Sequence, residues 1–186
     1  VLILCGGKGT RFEEVSNSKP KALADIQGKP LIDIIINTLE RNGFSRFILA
    51  VGYRNEHIVN HFEGTDRDII ISKESELLGT GGAIKFAERH IDSNLFMVMN
   101  GDLICDMNHE ELVKSHMEND KFATLAVSIS DSNEDYGNIS IGPNNSIEEF
   151  IEKSKNEGTN YVSAGTYIME KSIFNLLPKE KVFSIE

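Results

Sequence analysis

Short apolar runs and helical patterns take turns along the chain. Residues 1–5, Val-Leu-Ile-Leu-Cys, form an unbroken apolar run that reads as a buried strand, and it empties into Gly6-Gly7. Residues 30–43 then keep a helical period. Pro30 suits the first turn, Leu31, Ile34, Ile35 and Leu39 supply an apolar face, and Gly43 suits the C-terminal cap. The alternation continues, with strands expected at 47–51, 68–72 and 95–99 and helices at 55–62, 80–91 and 109–118, followed by a strand at 123–130. Strand-then-helix order of this kind implies an α/β fold: a mostly parallel sheet with helices on both faces.

From about residue 131 the texture changes. Apolar runs at 139–141 and 147–151 flank Gly142-Pro143-Asn144-Asn145, a turn signal between antiparallel strands. A strand at 161–169 and a short helix at 171–177 follow, so the C-terminal part is β-rich. With no repeat, low-complexity tract or linker, residues 1–186 read as one domain. The chain begins inside an apolar run at Val1 and reaches Glu186 just after another at 182–185, so a piece of a longer chain is expected.

Charge narrows the choice of partner. Lys and Arg total 19 against 29 Asp and Glu, a net charge of −10, which argues against a nucleic-acid coat but not against a single phosphate pocket. No apolar stretch approaches a membrane span and no signal peptide is evident, so neither nucleic acid nor membrane is an expected partner. Cys5 and Cys105 both flank apolar runs and read as reduced thiols of a cytoplasmic protein.

Ligands of open parallel sheets collect beyond the carboxyl ends of the strands. Residues 6–11, Gly52-Tyr53-Arg54, residues 78–83 and Asn100-Gly101-Asp102 all fall there. In Gly6-Gly7-Lys8-Gly9-Thr10-Arg11 the glycines let backbone N–H groups approach phosphate oxygens, and Arg11 with Lys21 neutralises them. This is neither a P-loop, since Lys8 sits inside the loop, nor a dinucleotide fingerprint, since Phe12 stands where a third glycine belongs. A plain glycine turn with a solvated lysine is the competing reading, and the added cations favour phosphate.

Gly-Gly-x-Gly-Thr-Arg followed by Pro20-Lys21 resembles the signature of the sugar-1-phosphate nucleotidyltransferases. The resemblance runs on through Gly28-Lys29-Pro30, Leu78-Gly79-Thr80-Gly81-Gly82-Ala83, Asn100-Gly101-Asp102, Tyr136-Gly137, Glu152-Lys153 and Ser163-Ala164-Gly165, in the family's order. It implies a Rossmann-like core that joins a nucleoside triphosphate to a sugar 1-phosphate and releases pyrophosphate. It also implies roles. Arg11 would hold the triphosphate at the leaving pyrophosphate and Lys21 would sit nearer the α-phosphate, while Cys5, Gly6, Gly7, Gly9 and Thr10 would contact the nucleotide. Lys153 would meet the sugar phosphate, with Glu152, Gly137, Asn100, Gly101 and Ser163 around the sugar.

Asp102, a hard carboxylate at a strand end facing phosphates, suits Mg²⁺, although a turn aspartate is the ordinary reading of Gly-Asp alone. Asp106 nearby reads as a cap or surface residue. Leu78, Gly79, Thr80 and Gly81 would form the base-binding strip, against the alternative of a helix entry chosen for close packing. Glu74 and Glu76 precede it. A carboxylate only accepts, and guanine presents two adjacent donors, so a Glu facing the base fits guanine, as in the mannose- and heptose-1-phosphate guanylyltransferase branch that this segment resembles. Two solvated loop glutamates are the other reading. The five histidines carry no metal spacing. The family's second metal aspartate follows a Trp, and this sequence has none; Ser163 stands where the family has Asn. Two rival readings remain at this stage, a binding module without turnover and a transferase for a non-sugar phosphate such as phosphocholine. A homo-oligomer is compatible with either.

Overall fold

The computed structural model describes residues 1–7, 20–52, 54–130, 138–151 and 160–186. Strand β1 (Leu2–Leu4) is followed by a two-strand hairpin, β2 (Asp25–Ile26) and β3 (Lys29–Pro30), which leads into helix α1 (Leu31–Arg41). Then come β4 (Arg46–Val51), α2 (Asn55–Phe62), β5 (Asp68–Lys73), α3 (Gly79–Ala87), β6 (Leu95–Asn100) and α4 (His109–Met117). The four longer-range strands pair in parallel in the order β5-β4-β1-β6.

Their unbroken apolar character follows from this position. Successive strand residues point to opposite faces, so a sheet covered on both sides needs apolar residues throughout. Ile3, Leu49 and Met99 pack with Ile32, Ile36 and Leu39 of α1, Ile58 of α2 and Leu112 of α4 on one face. Leu2, Ile48, Ala50 and Val98 pack with Ala83, Ile84 and Ala87 of α3 on the other. In α1 the buried stripe is Leu31, Ile32, Ile35, Ile36 and Leu39. The expected Ile34 is only half-buried, because the 100° step per residue centres the stripe one residue to the other side.

The second part is antiparallel. It consists of β7 (Ala123–Ser130), β8 (Asn138–Ile141), β9 (Ile147–Ile151) and β10 (Asn160–Glu170). One half of β10 pairs with β6 and the other reaches β8, while β7 lies along its opposite side. The β8–β9 turn falls at Pro143–Asn145, where Asn144 and Asn145 take the left-handed conformation that asparagine tolerates. Two expected helices come out shorter. α3 gives way to a 3₁₀ turn at Glu88–His90, and the segment after β10 is only a 3₁₀ turn, Lys171–Asn175. Among the described residues no helix is long and apolar enough to cross a membrane.

Candidate active site

Because β1, β4, β5 and β6 run parallel, their carboxyl ends share one edge of the sheet. A cavity of about 430 Å³ opens beyond it, lined by Cys5, Gly6 and Gly7 as the chain leaves β1, Glu74 after β5, and Asn100, Gly101 and Asp102 at the end of β6. Lys21 from the 3₁₀ turn Lys21–Leu23, and Gly79 and Thr80 at the start of α3, complete the polar part of the wall. The structure therefore gathers ten residues expected from the sequence into one cavity.

Asp102 is held there by a close backbone approach. The Gly101 N–H donates to the Leu4 carbonyl at 2.9 Å, and a side chain on Gly101 would begin 2.8 Å from Cys5 Sγ. Only glycine lets the turn after β6 lie this tightly against the exit of β1. Asp102 Oδ2 accepts from Lys21 Nζ at 2.7 Å, with both side chains about two-fifths exposed at 41% and 42%. Beneath them, burial and then the Asp102 charge push the Cys5 thiol up to about 12, so it stays protonated and is no nucleophile at neutral pH.

Glu74 is 6% exposed. Its Oε2 accepts from the Leu78 N–H at 3.3 Å, and its Oε1, beside Gly6, has no hydrogen-bond partner among the described residues. Burial raises its pKa, against a smaller lowering by the Leu78 N–H. Glu76 instead points away, paired with Lys181. Of the two glutamates, only Glu74 lines the cavity.

The glycines at the start of α3 divide between two tasks. The Gly81 and Gly82 N–H groups both donate to the Phe183 carbonyl, at 3.1 and 3.2 Å, and the Phe183 N–H donates to the Leu78 carbonyl at 3.0 Å. Two members of the strip have partners within the chain. Gly81 spends its amide on Phe183, and Leu78 is buried at 3% exposed. Both lie outside the cavity lining. Close packing and ligand access thus share one glycine-rich run.

On β10, Ser163 Oγ accepts from the Gly165 N–H at 3.1 Å, within a bulge between Ser163 and Tyr167. Gly165 backs onto Asn100, so this bulge abuts the Asn100-Gly101-Asp102 turn. Ser163 itself is not part of the cavity lining. Gly9, Thr10, Arg11, Gly137, Glu152 and Lys153 lie outside the described residues. Sequence reasoning missed Leu77, 39% exposed on the cavity wall, and the segment 181–186 that braces α3. The apolar patch at 182–185 carries no local signal of this contact.

Asp106 is an exposed surface residue, and the side chain of Asn108 caps α4, accepting from the Glu111 N–H at 3.1 Å. Two of the histidines serve the scaffold: His61 Nε2 lies 2.9 Å from Asp33 Oδ2 and His116 Nδ1 lies 2.8 Å from Thr124 Oγ1. No group of three or more His, Cys, Asp or Glu side chains able to hold a metal occurs among the described residues. A lone Asp102 beside a glycine loop still fits one metal type, since Mg²⁺ is commonly held by one or two carboxylates plus substrate phosphate oxygens.

Residues 1–183 match the nucleotidyl transferase family model, and the chain belongs to that family. Its relatives include the bifunctional protein GlmU of Methanococcus maripaludis, 37% identical over 97% of this chain and 43% of its own length. Another is mannose-1-phosphate guanyltransferase 2 of Candida glabrata, 35% identical over 100% of this chain and 53% of its own length. The chain spans about half the length of the curated relatives it matches. Among solved structures, HddC from Yersinia pseudotuberculosis superposes with a TM-score of 0.87 at 33% identity, over 100% of this chain and 82% of that one. HddC has also been solved in complex with GMP-PN.

Proposed function

We propose that the protein joins GTP to a sugar 1-phosphate of the mannose or heptose type, giving a nucleotide-diphospho-sugar and pyrophosphate. The observation that carries this reading is the make-up of the cavity at the carboxyl edge of the sheet. It combines the Lys21–Asp102 pair and the Gly6-Gly7 turn, suited to phosphates, with Glu74, a buried carboxylate whose Oε1 has no partner among the described residues. A buried acceptor without a donor is costly, and a ligand bearing adjacent N–H groups removes the cost. Guanine offers N1–H and N2–H₂ side by side; uracil and thymine set one N–H between two carbonyls that a carboxylate repels. The guanyltransferase relative and the GMP-PN complex of HddC support the same base.

In the reaction, an oxygen of the sugar phosphate attacks the α-phosphorus. The bond from that phosphorus to the bridging oxygen breaks, and pyrophosphate leaves with the electron pair. No covalent enzyme intermediate is needed, so the work is positioning and charge neutralisation. Lys21 would neutralise the α-phosphate, Arg11 the leaving pyrophosphate and Lys153 the sugar phosphate. Members of this family usually use a divalent metal ion, and Asp102 would hold Mg²⁺. Bound there, the ion would offset charge on the phosphate oxygens.

The test is pyrophosphate release by the full-length protein with Mg²⁺, pairing each common nucleoside triphosphate with a panel of hexose and heptose 1-phosphates. Release with GTP and one sugar phosphate is expected. Release with UTP or dTTP alone would overturn the base assignment, and silence across the panel would overturn the reaction.

A further inference from the structure

One carboxylate joins the start of α3 to strand β10 behind the cavity. Thr80 Oγ1, at the start of α3, donates to Glu186 Oε2 at 2.9 Å and accepts from the Ile185 N–H at 2.9 Å. The Tyr167 hydroxyl, on β10, donates to Glu186 Oε1 at 3.1 Å. Ser184 Oγ also donates to Oε2. Tyr167 is 4% exposed and sits just past the bulge that carries Ser163 and Gly165. Burial alone would raise the Glu186 pKa, but hydrogen bonds from Ser184, its own backbone N–H, Thr80 and Tyr167, in that order, outweigh it and hold the group below its ordinary value. Glu186 is therefore an anionic acceptor, and hydrogen bonds to ionised groups are shorter and stronger than neutral ones.

The two ends of this chain of contacts differ in what they line. Thr80 forms part of the cavity wall beside Gly79, and the β10 bulge backs onto Asn100. We propose that Glu186 is a positioning residue that couples the α3 wall of the cavity to the β10 bulge behind Asn100, so that ordering the α3 side by nucleotide also orders the Asn100 side, where the sugar 1-phosphate would bind. The coupling rests on the nucleotidyl-transfer reading given above. It adds an energetic link between two subsites, carried by Thr80, Glu186 and Tyr167, which neither subsite requires for itself. Such a link is reciprocal: each ligand must tighten the other by the same factor.

The experiment uses the full-length protein, Mg²⁺, α,β-methylene GTP as a nucleotide that cannot be transferred, and the sugar 1-phosphate selected by the pyrophosphate panel. Calorimetry gives the nucleotide dissociation constant with and without saturating sugar 1-phosphate. In the wild type the ratio is expected to be about fivefold or more. Tyr167→Phe keeps the buried ring and removes only the hydroxyl, and it should bring the ratio below about twofold. Glu186→Gln should do the same and also weaken the nucleotide alone, because Thr80 loses its anionic partner. A ratio near one in the wild type, or a wild-type ratio kept in both variants while only their thermal stability falls, would overturn the coupling and leave the enzyme reading intact. A silent panel, with no binding of the GTP analogue, would overturn both.

Discussion

Two glycine-rich turns leave the same edge of the sheet and invite the same reading, yet they meet different partners. At Gly7 nothing among the described residues stands within 4 Å of where a side chain would begin. At Gly79, where φ is +75°, the Phe183 carbonyl oxygen lies 2.5 Å from that point, and at Gly82 the Lys181 carbonyl is equally close. The first turn keeps its backbone open to the cavity. The second gives most of its space, and two of its amides, to residues 181–186. Glycine serves a ligand and a neighbouring chain segment by the same means, the absence of Cβ, so composition alone does not separate the two uses.

The sharpest contrast comes from the cavity side. Lys21→Ala should lower turnover in pyrophosphate release by at least about a hundredfold, the scale for removing one transition-state donor. Its melting temperature should hardly move, because an exposed ion pair such as Lys21–Asp102 is worth about 0–1 kcal/mol. A large stability loss with full activity would reverse the assignment of this side.

Gly79→Ala should show the opposite signature. A side chain there is both in the left-handed region and against a backbone oxygen, so unfolding free energy should drop by about 2 kcal/mol. Gly7→Ala should stay within about 0.5 kcal/mol of the wild type while weakening nucleotide binding. Denaturant titration of the pair decides the matter, since equal losses would erase the distinction between the turns.

Glu74 joins the two turns, with Oε2 on the Leu78 N–H and Oε1 beside Gly6. Its raised pKa has a definite sign. The folded protein holds a proton that the unfolded chain releases above about 4.5, so the stability contribution is present below that pH and is lost as pH rises through the folded value. At neutral pH Glu74 is then a cost to the free protein. Glu74→Gln should raise the melting temperature at pH 7–8 and lower the preference for GTP over other triphosphates by about tenfold, the scale of a hydrogen bond to a charged group. A lowered melting temperature with an unchanged preference would place Glu74 in the scaffold alone.

Much of this was legible in the sequence because two periods dominate it. The apolar runs at 47–51 and 95–99 could only be strands buried on both faces, and parallel pairing then carried Asp102 to the same edge as Gly6. What stayed hidden depends on contacts far apart in sequence. Nothing local says that Phe183 will take the amides of Gly81 and Gly82, about a hundred residues away, or that Glu74 turns inward while Glu76 pairs with Lys181. Those choices belong to packing, where an alternating Glu-x-Glu pattern offers both side chains equally.

A residue that serves neither turn sets the baseline for these comparisons. His109, at the first position of α4 and packed on the sheet face opposite α3, is 1% exposed, and neither ring nitrogen has a partner among the described residues. Its nearest ring is Phe44, edge-on at 6.2 Å between centroids. Burial lowers its pKa, and a positive charge at a helix N-terminus is disfavoured as well. Below the ordinary value of 6.5 the unfolded chain binds a proton that the folded protein refuses. Stability should therefore be complete above pH 6.5 and decline as pH falls toward the lower folded value. His109→Phe should flatten that decline in a series of unfolding midpoints from pH 5 to 8, with GTP preference unchanged throughout. If the decline survives the substitution, the proton is taken up elsewhere and His109 is silent.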